Sequence, residues 1–195
     1  MKTILILIIT ILTFSISHAQ ENKLIISSSL RFQNANTKTE NQENSTSYFQ
    51  VTPRILYKLN TKLGIGVLYA ASRSKSEYYN DDITKLSGHQ VGGFVQLDLI
   101  NKSKYQIFSD LDASYIHSKS QNDFETHTNN TSKGALTSLN IGARYNFYKR
   151  LGLEIRLNEL VSYRSIKYDS DSKLSSFNLL NDPFQQLSYG LSFTF

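Results

Sequence analysis

The stretch Pro183-Phe184-Gln185-Gln186-Leu187-Ser188-Tyr189-Gly190-Leu191-Ser192-Phe193-Thr194-Phe195 decides how the rest of the chain is read. Leu187, Tyr189, Leu191, Phe193 and Phe195 fall on one parity, and Gln186, Ser188, Gly190, Ser192 and Thr194 on the other. Successive side chains of a strand point to opposite faces, so this segment has one apolar, aromatic face and one small, polar face. Two environments suit it: the edge of a soluble sandwich, with the apolar face in a core, or a barrel wall, with that face in lipid. The segments before it separate the two.

Working back from this strand, the same alternation recurs. A seventh strand, about 151–165, sets Leu151, Leu153, Ile155, Leu157, Val161 and Tyr163 against Glu154, Arg156, Asn158 and Ser162. Further strands are expected at about 133–148, 104–117, 86–100, 63–74, 48–59 and 23–36. Pro53 interrupts the second strand and is expected to mark a bulge or a lapse in pairing with the first, because proline has no N–H for a ladder. The eight strands are joined alternately by long polar segments, about 37–47, 75–85, 118–132 and 166–182, and by turns of about three residues. Even strand number with short turns at one end and long loops at the other is the rhythm of a transmembrane barrel.

Parity points the same way. One face is apolar in every strand, and the other holds nearly all the mid-strand charge together with many Gly, Ser and Ala. In a soluble lipocalin-like barrel, the alternative, large apolar side chains from every strand would have to crowd into the interior. Small residues inside and apolar residues outside suit a narrow barrel in lipid. Aromatic residues mark two levels of the apolar face: Tyr57, Tyr105, Phe147 and Phe195 at the turn end, and Phe32, Phe49, Tyr69, Tyr115 and Tyr163 at the loop end. Such girdles sit at membrane interfaces. The expected fold class is all-β: a closed antiparallel eight-stranded up-and-down transmembrane β-barrel.

The alternation ending in Tyr189, Leu191, Phe193 and Phe195 resembles the C-terminal signal strand of bacterial outer-membrane barrels. The region after the leader is similar throughout to the small eight-stranded outer-membrane barrels of the OmpA/OmpX type, in pattern and topology. That resemblance implies the outer membrane of a didermic bacterium, both termini in the periplasm, contact with outer-membrane lipid, and engagement of the barrel-assembly machinery through the last strand. It further implies a monomer without cofactor, whose outward loops are available to an external ligand.

The first residues read as an export leader. Lys2 precedes an apolar run from Ile4 to Ile16, and Ser17-His18-Ala19 places small residues before a cleavage point, so the expectation is a signal peptide over 1–19 and one barrel domain over 20–195. Beyond the leader no apolar run approaches the roughly 18 residues of a membrane helix. The chain contains no cysteine, which excludes disulfides and thiolate metal sites. Its net charge of +5 is spread along the chain without a Lys/Arg run, which speaks for anionic headgroups and against a nucleic-acid groove.

The inward parity collects Arg31, Arg54, Asp98, Asp110, Asp112, Arg144, Glu154 and Arg156. Isolated charges inside a barrel are costly, and an eight-stranded barrel is barely wide enough for its side chains, so these residues are expected to pair and close the lumen. A narrow ion path is the competing reading. A rim-sited lipid-modifying enzyme would need a His with a Ser and a carboxylate. His89, His117 and His127 are the histidines beyond the leader, and His117, Ser118 or Ser120, and Glu125 are the one combination available. Hydroxyls are so common in this chain that the combination does not specify catalysis. The acidic pairs Asp81/Asp82 and Asp169/Asp171 lack calcium-loop spacing. The expectation is no catalytic, cofactor-binding or metal residue.

Overall fold

The computed structural model describes residues 24–39, 42–77, 83–122, 129–168, 172–179 and 182–195. The expected leader, and loop residues Asp81, Asp82, Glu125, His127, Asp169 and Asp171, lie outside the described residues. The strands are β1 (Leu24–Thr39), β2 (Gln42–Lys58), β3 (Leu63–Glu77), β4 (Ile83–Asn101), β5 (Tyr105–Asn122), β6 (Asn129–Tyr148), β7 (Leu151–Tyr168), β8 (Lys173–Leu179) and β9 (Leu187–Thr194). Each of β1 to β7 pairs antiparallel with its successor, β6 with β7 included, and β9 pairs with both β7 and β1. The eight strands β1 to β7 and β9 therefore close a ring. Closure satisfies every backbone group of the wall without an exposed edge, which lipid requires.

Four features differ from the sequence reading. The last strand does not begin near Pro183: Pro183–Gln186 forms a 3₁₀ turn and β9 starts at Leu187. The segment 166–182, expected as a loop, carries β8, which pairs with Val161–Lys167 of β7 and continues the line of β9 on the loop side. The segments 37–47, 75–85 and 118–132 are largely strand, so β1 to β7 run for 15 to 20 residues where a membrane needs only about 9–11. These long hairpins extend well past the length a membrane-spanning strand needs, held by backbone pairing. Finally, Pro53 lies opposite Ser28 in an unbroken β1–β2 register. The lapse is on its other side, where the β2–β3 ladder skips from Val51↔Ala71 to Arg54↔Leu68 without changing register.

The parity assignment holds along the wall. Ile55, Val67, Val95, Leu97, Leu111, Leu153, Ile155, Tyr189 and Leu191 all lie exposed on the outer face. The inner face buries polar side chains with a few large apolar ones: Ile25, Leu56, Leu68 and Phe94 make one cluster, and Phe108 is fully buried. Two glycines make room for the rings. A Cβ on Gly66 would lie 2.5 Å from Phe94, and one on Gly142 would lie 2.5 Å from Phe108.

Candidate functional site in the lumen

The inner charges come from neighbouring strands in matched positions. Asp110 and Asp112 are two apart on β5, and Glu154 and Arg156 two apart on β7, so each pair shares the inner face. Arg144 on β6 stands opposite Gln106 on one side and Glu154 on the other. Gln96 on β4 stands opposite Asp110.

These positions produce one connected chain of contacts. Arg54 donates from Nη2 to Asp112 Oδ2 at 2.7 Å and from Nη1 to Asp110 Oδ2 at 3.2 Å. Arg156 joins Asp110 to Glu154 through Nη1 and Nε. Glu154 Oε2 accepts from Arg144 Nε at 3.0 Å and Nη2 at 2.8 Å. Arg144 Nη1 donates to Gln106 Oε1 at 2.6 Å, and Gln106 Nε2 donates to Asp98. Asp98 also accepts from Gln96 Nε2 at 2.8 Å and from Lys58 Nζ. Arg54 lies 4.9 Å from the Phe94 ring centroid, and Arg156 and Arg144 lie 4.7 and 5.3 Å from that of Phe108. The rings give the guanidinium groups an apolar and quadrupolar support where water is scarce.

Seven of the eight charges singled out in the sequence thus meet. Arg31 does not join them: it lies toward the loop side, 3.8 Å from Glu159, with its Nε donating to Gln185 O at 2.8 Å. Lys58 takes its place in the balance. Arg54, Lys58, Arg144 and Arg156 face Asp98, Asp110, Asp112 and Glu154. Lys58 was legible as an inward residue next to a turn. Glu159 was not, because plain alternation puts it outside. At that point three residues of β7, Asn158 to Leu160, oppose the single residue Asn140 of β6, and Glu159 has φ 55°. Its N–H donates to Asn140 Oδ1 at 2.8 Å, and its carboxylate meets Arg164 at 3.3 Å. The bulge re-aims this side chain toward the lumen, a common use of such irregularities.

Above the network lies a polar cavity of ≈ 30 Å³ bordered by Arg31, Arg54, Asp112, Asn140 and Glu159. That is room for roughly one water and no larger solute. Asn140 Nδ2 and Arg54 Nε are buried without a protein partner. Among the described residues, no group of three or more His, Cys, Asp or Glu side chains could hold a metal ion. His89 Nδ1 is 2.7 Å from Tyr69 Oη on the outer face, and His117 stands opposite His89 in the β4–β5 register. In the final strand Tyr189 and Leu191 face outward, Phe193 and Phe195 meet edge to face at 4.7 Å, and Phe195 N donates to Leu24 O at 2.8 Å.

No family model matches the chain, and no curated protein matches it. Among solved structures it is similar to a major outer membrane protein of Thermus thermophilus, at 13% identity and TM-score 0.56, over 90% of this chain and 100% of that one. It is also similar to OprG of Pseudomonas aeruginosa, at 13% identity and TM-score 0.49, over 90% and 97%. A third likeness is to Ail, the attachment invasion locus protein of Yersinia pestis, solved with the heparin analogue sucrose octasulfate, at 14% identity and TM-score 0.48, over 90% and 100%. The closed ring, its apolar exterior and the first of these likenesses define the class: this chain has the fold of the small eight-stranded outer-membrane β-barrels.

Proposed function

We propose that the protein resides in the outer membrane as a non-enzymatic barrel with a structural or surface-interaction role, its lumen plugged by the charge network. Residues 1–19 serve as a cleaved export leader, the termini lie in the periplasm, and the strand ending Tyr189, Leu191, Phe193 and Phe195 is the segment offered to the barrel-assembly machinery. Lipid surrounds a monomer, and the tall hairpins present a surface to an external ligand.

The observation that carries this reading is the contrast between wall and lumen. The outer face exposes aliphatic and aromatic side chains around the ring, while Arg156, Asp110 and Glu154 are all but inaccessible inside it. A soluble barrel would have the reverse arrangement, with its charges in water. The plug argues against a porin-like path, since a conducting pore keeps one sign in excess to select its ion. Membrane fractionation with heat-modifiable gel mobility tests the location: recovery in the outer-membrane fraction with a shift on boiling is expected, and recovery in the soluble periplasm without detergent would refute it. Incubation with labelled phospholipid tests the non-enzymatic role, with no turnover expected.

A further inference from the structure

Spread along the sequence, the chain's excess of positive charge is collected by the fold at one rim. The three hairpin turns of that end, 60–62, 102–104 and 149–150, carry Lys62, Lys102, Lys104, Lys149 and Arg150 and no acid, and all five cations are exposed. Removing these five from the chain's 21 Lys and Arg leaves 16, which its 16 Asp and Glu balance, so the turns account for the net charge of +5. Among the described residues no ion pair joins any of the five to a carboxylate. The acids nearest to them in sequence, Asp98 and Glu154, face inward and are held by Lys58 and by Arg144 and Arg156. Each turn is also pinned to the next strand of the ring. Asp98 N donates to Lys62 O at 2.7 Å, Asn146 N to Lys104 O at 2.7 Å, and Thr194 N to Arg150 O at 2.9 Å. Asn60 Oδ1 accepts from the N–H groups of Lys62 and Leu63 at 2.8 Å, and Asn101 Nδ2 donates to Thr61 O at 3.1 Å. The backbone of this cationic rim is fixed before any partner arrives, so binding has only side chains to order.

Successive turns stand two strands apart, which is roughly 10 Å along the rim, so the cations form an arc and not a single cluster. An exposed ion pair changes an affinity by only roughly two- to fivefold, and a small anion meets one turn at a time. A polymer that repeats its negative charges meets several turns together, and its later contacts form at high effective concentration. The uncompensated charge of one sign also steers such a polymer to this end of the barrel. We infer that the turn rim docks the barrel onto the peptidoglycan of the periplasm through the carboxylates of its stem peptides. Lys102, Lys104, Lys149 and Arg150 are the main contacts, and Lys62 stands at the end of the arc. The inference rests on the reading that puts the turn end in the periplasm, and it names a partner there.

The test mixes the detergent-refolded full chain with purified peptidoglycan sacculi at low salt and measures the protein that sediments. Binding is expected, with loss at about 1 M salt, where the screening length is about 3 Å. Sacculi with amidated carboxyls are expected to leave the protein in the supernatant. Lys102→Gln/Lys104→Gln/Lys149→Gln/Arg150→Gln is expected to bind at least roughly tenfold more weakly. Arg73→Gln/Lys85→Gln/Lys119→Gln/Lys133→Gln removes as many charges at the loop end and is expected to bind as the unmodified protein does. Lys102→Arg/Lys104→Arg/Lys149→Arg keeps the rim charges and is expected to keep binding. Heat-modifiable mobility confirms folding of each variant; should one misfold, the amidated sacculi still decide on the unmodified protein. No sedimentation of the unmodified protein, equal sedimentation with amidated sacculi, or equal losses in the two charge-removing variants would each overturn the inference. So would retention of phosphatidylglycerol through the turn residues in nanodiscs with the sacculi ignored, which would make the partner a lipid. A protein that binds sacculi but is recovered in the soluble periplasm refutes the membrane reading, whereas one that sits in the outer membrane and ignores sacculi refutes the rim alone.

Discussion

The turn-side and loop-side halves of the lumen are closed by different means. On the turn side the ring is complete: β9 pairs with β1 from Ile25↔Thr194 to Leu30↔Tyr189, and buried charges of balanced sign interlock within it. On the loop side β8 takes over the line of β9 and pairs with β7, and among the described residues no ladder joins it to β1. Closure there depends on the turned-in Glu159, on Arg31 and on the Pro183–Gln186 turn, all partly open to solvent. The same types of group meet in both halves, but the low-dielectric half makes each pair matter more. Removing one partner from a dry network strands a charge; removing one from a wet rim exchanges it for water.

The largest effect should come from Glu154→Ala, which leaves Arg144 and Arg156 without their shared carboxylate. A loss of about 3–5 kcal/mol in unfolding free energy, followed by urea titration in detergent, is expected. Arg144→Ala should fall at the low end of that range, since Glu154 keeps Arg156. Next in size is Val95→Arg on the lipid face, expected to cost about 2–4 kcal/mol in a bilayer refolding assay. An undiminished stability there would mean that the inner and outer faces are exchanged. Gly142→Ala should cost about 1–3 kcal/mol, because its Cβ would press on the Phe108 ring beneath two guanidinium groups. Smallest is Glu159→Gln at the rim, where less than about 1 kcal/mol is expected. A rim loss as large as that of Glu154→Ala would erase the distinction between the two halves.

How far the sequence discloses these features follows from the physics. Period-two alternation is enforced wherever one face meets lipid, so the wall strands, their parity and the inward charges are readable from Leu, Val and Tyr positions alone. The hairpin tops are not, because above the bilayer neither face must be apolar; polar runs such as Gln42 to Ser47 form strand through backbone pairing that leaves no mark in composition. β8 escapes notice because Leu174 is out of phase with Phe177 and Leu179. Glu159 is hidden by a bulge, whose extra residues on β7 change where a side chain points without leaving a mark in the residue types. Lys58 shares the parity of Arg54 on β2, but only the folded barrel shows that its Nζ reaches across β3 to Asp98.

Sealing of the lumen is most directly measured by planar-bilayer recording of the unmodified, refolded protein. The interlocked Arg54, Asp110, Arg156, Glu154 and Arg144 set, with a cavity of only ≈ 30 Å³ above it, predicts a silent trace. Steady, large conductance from the intact barrel would contradict it.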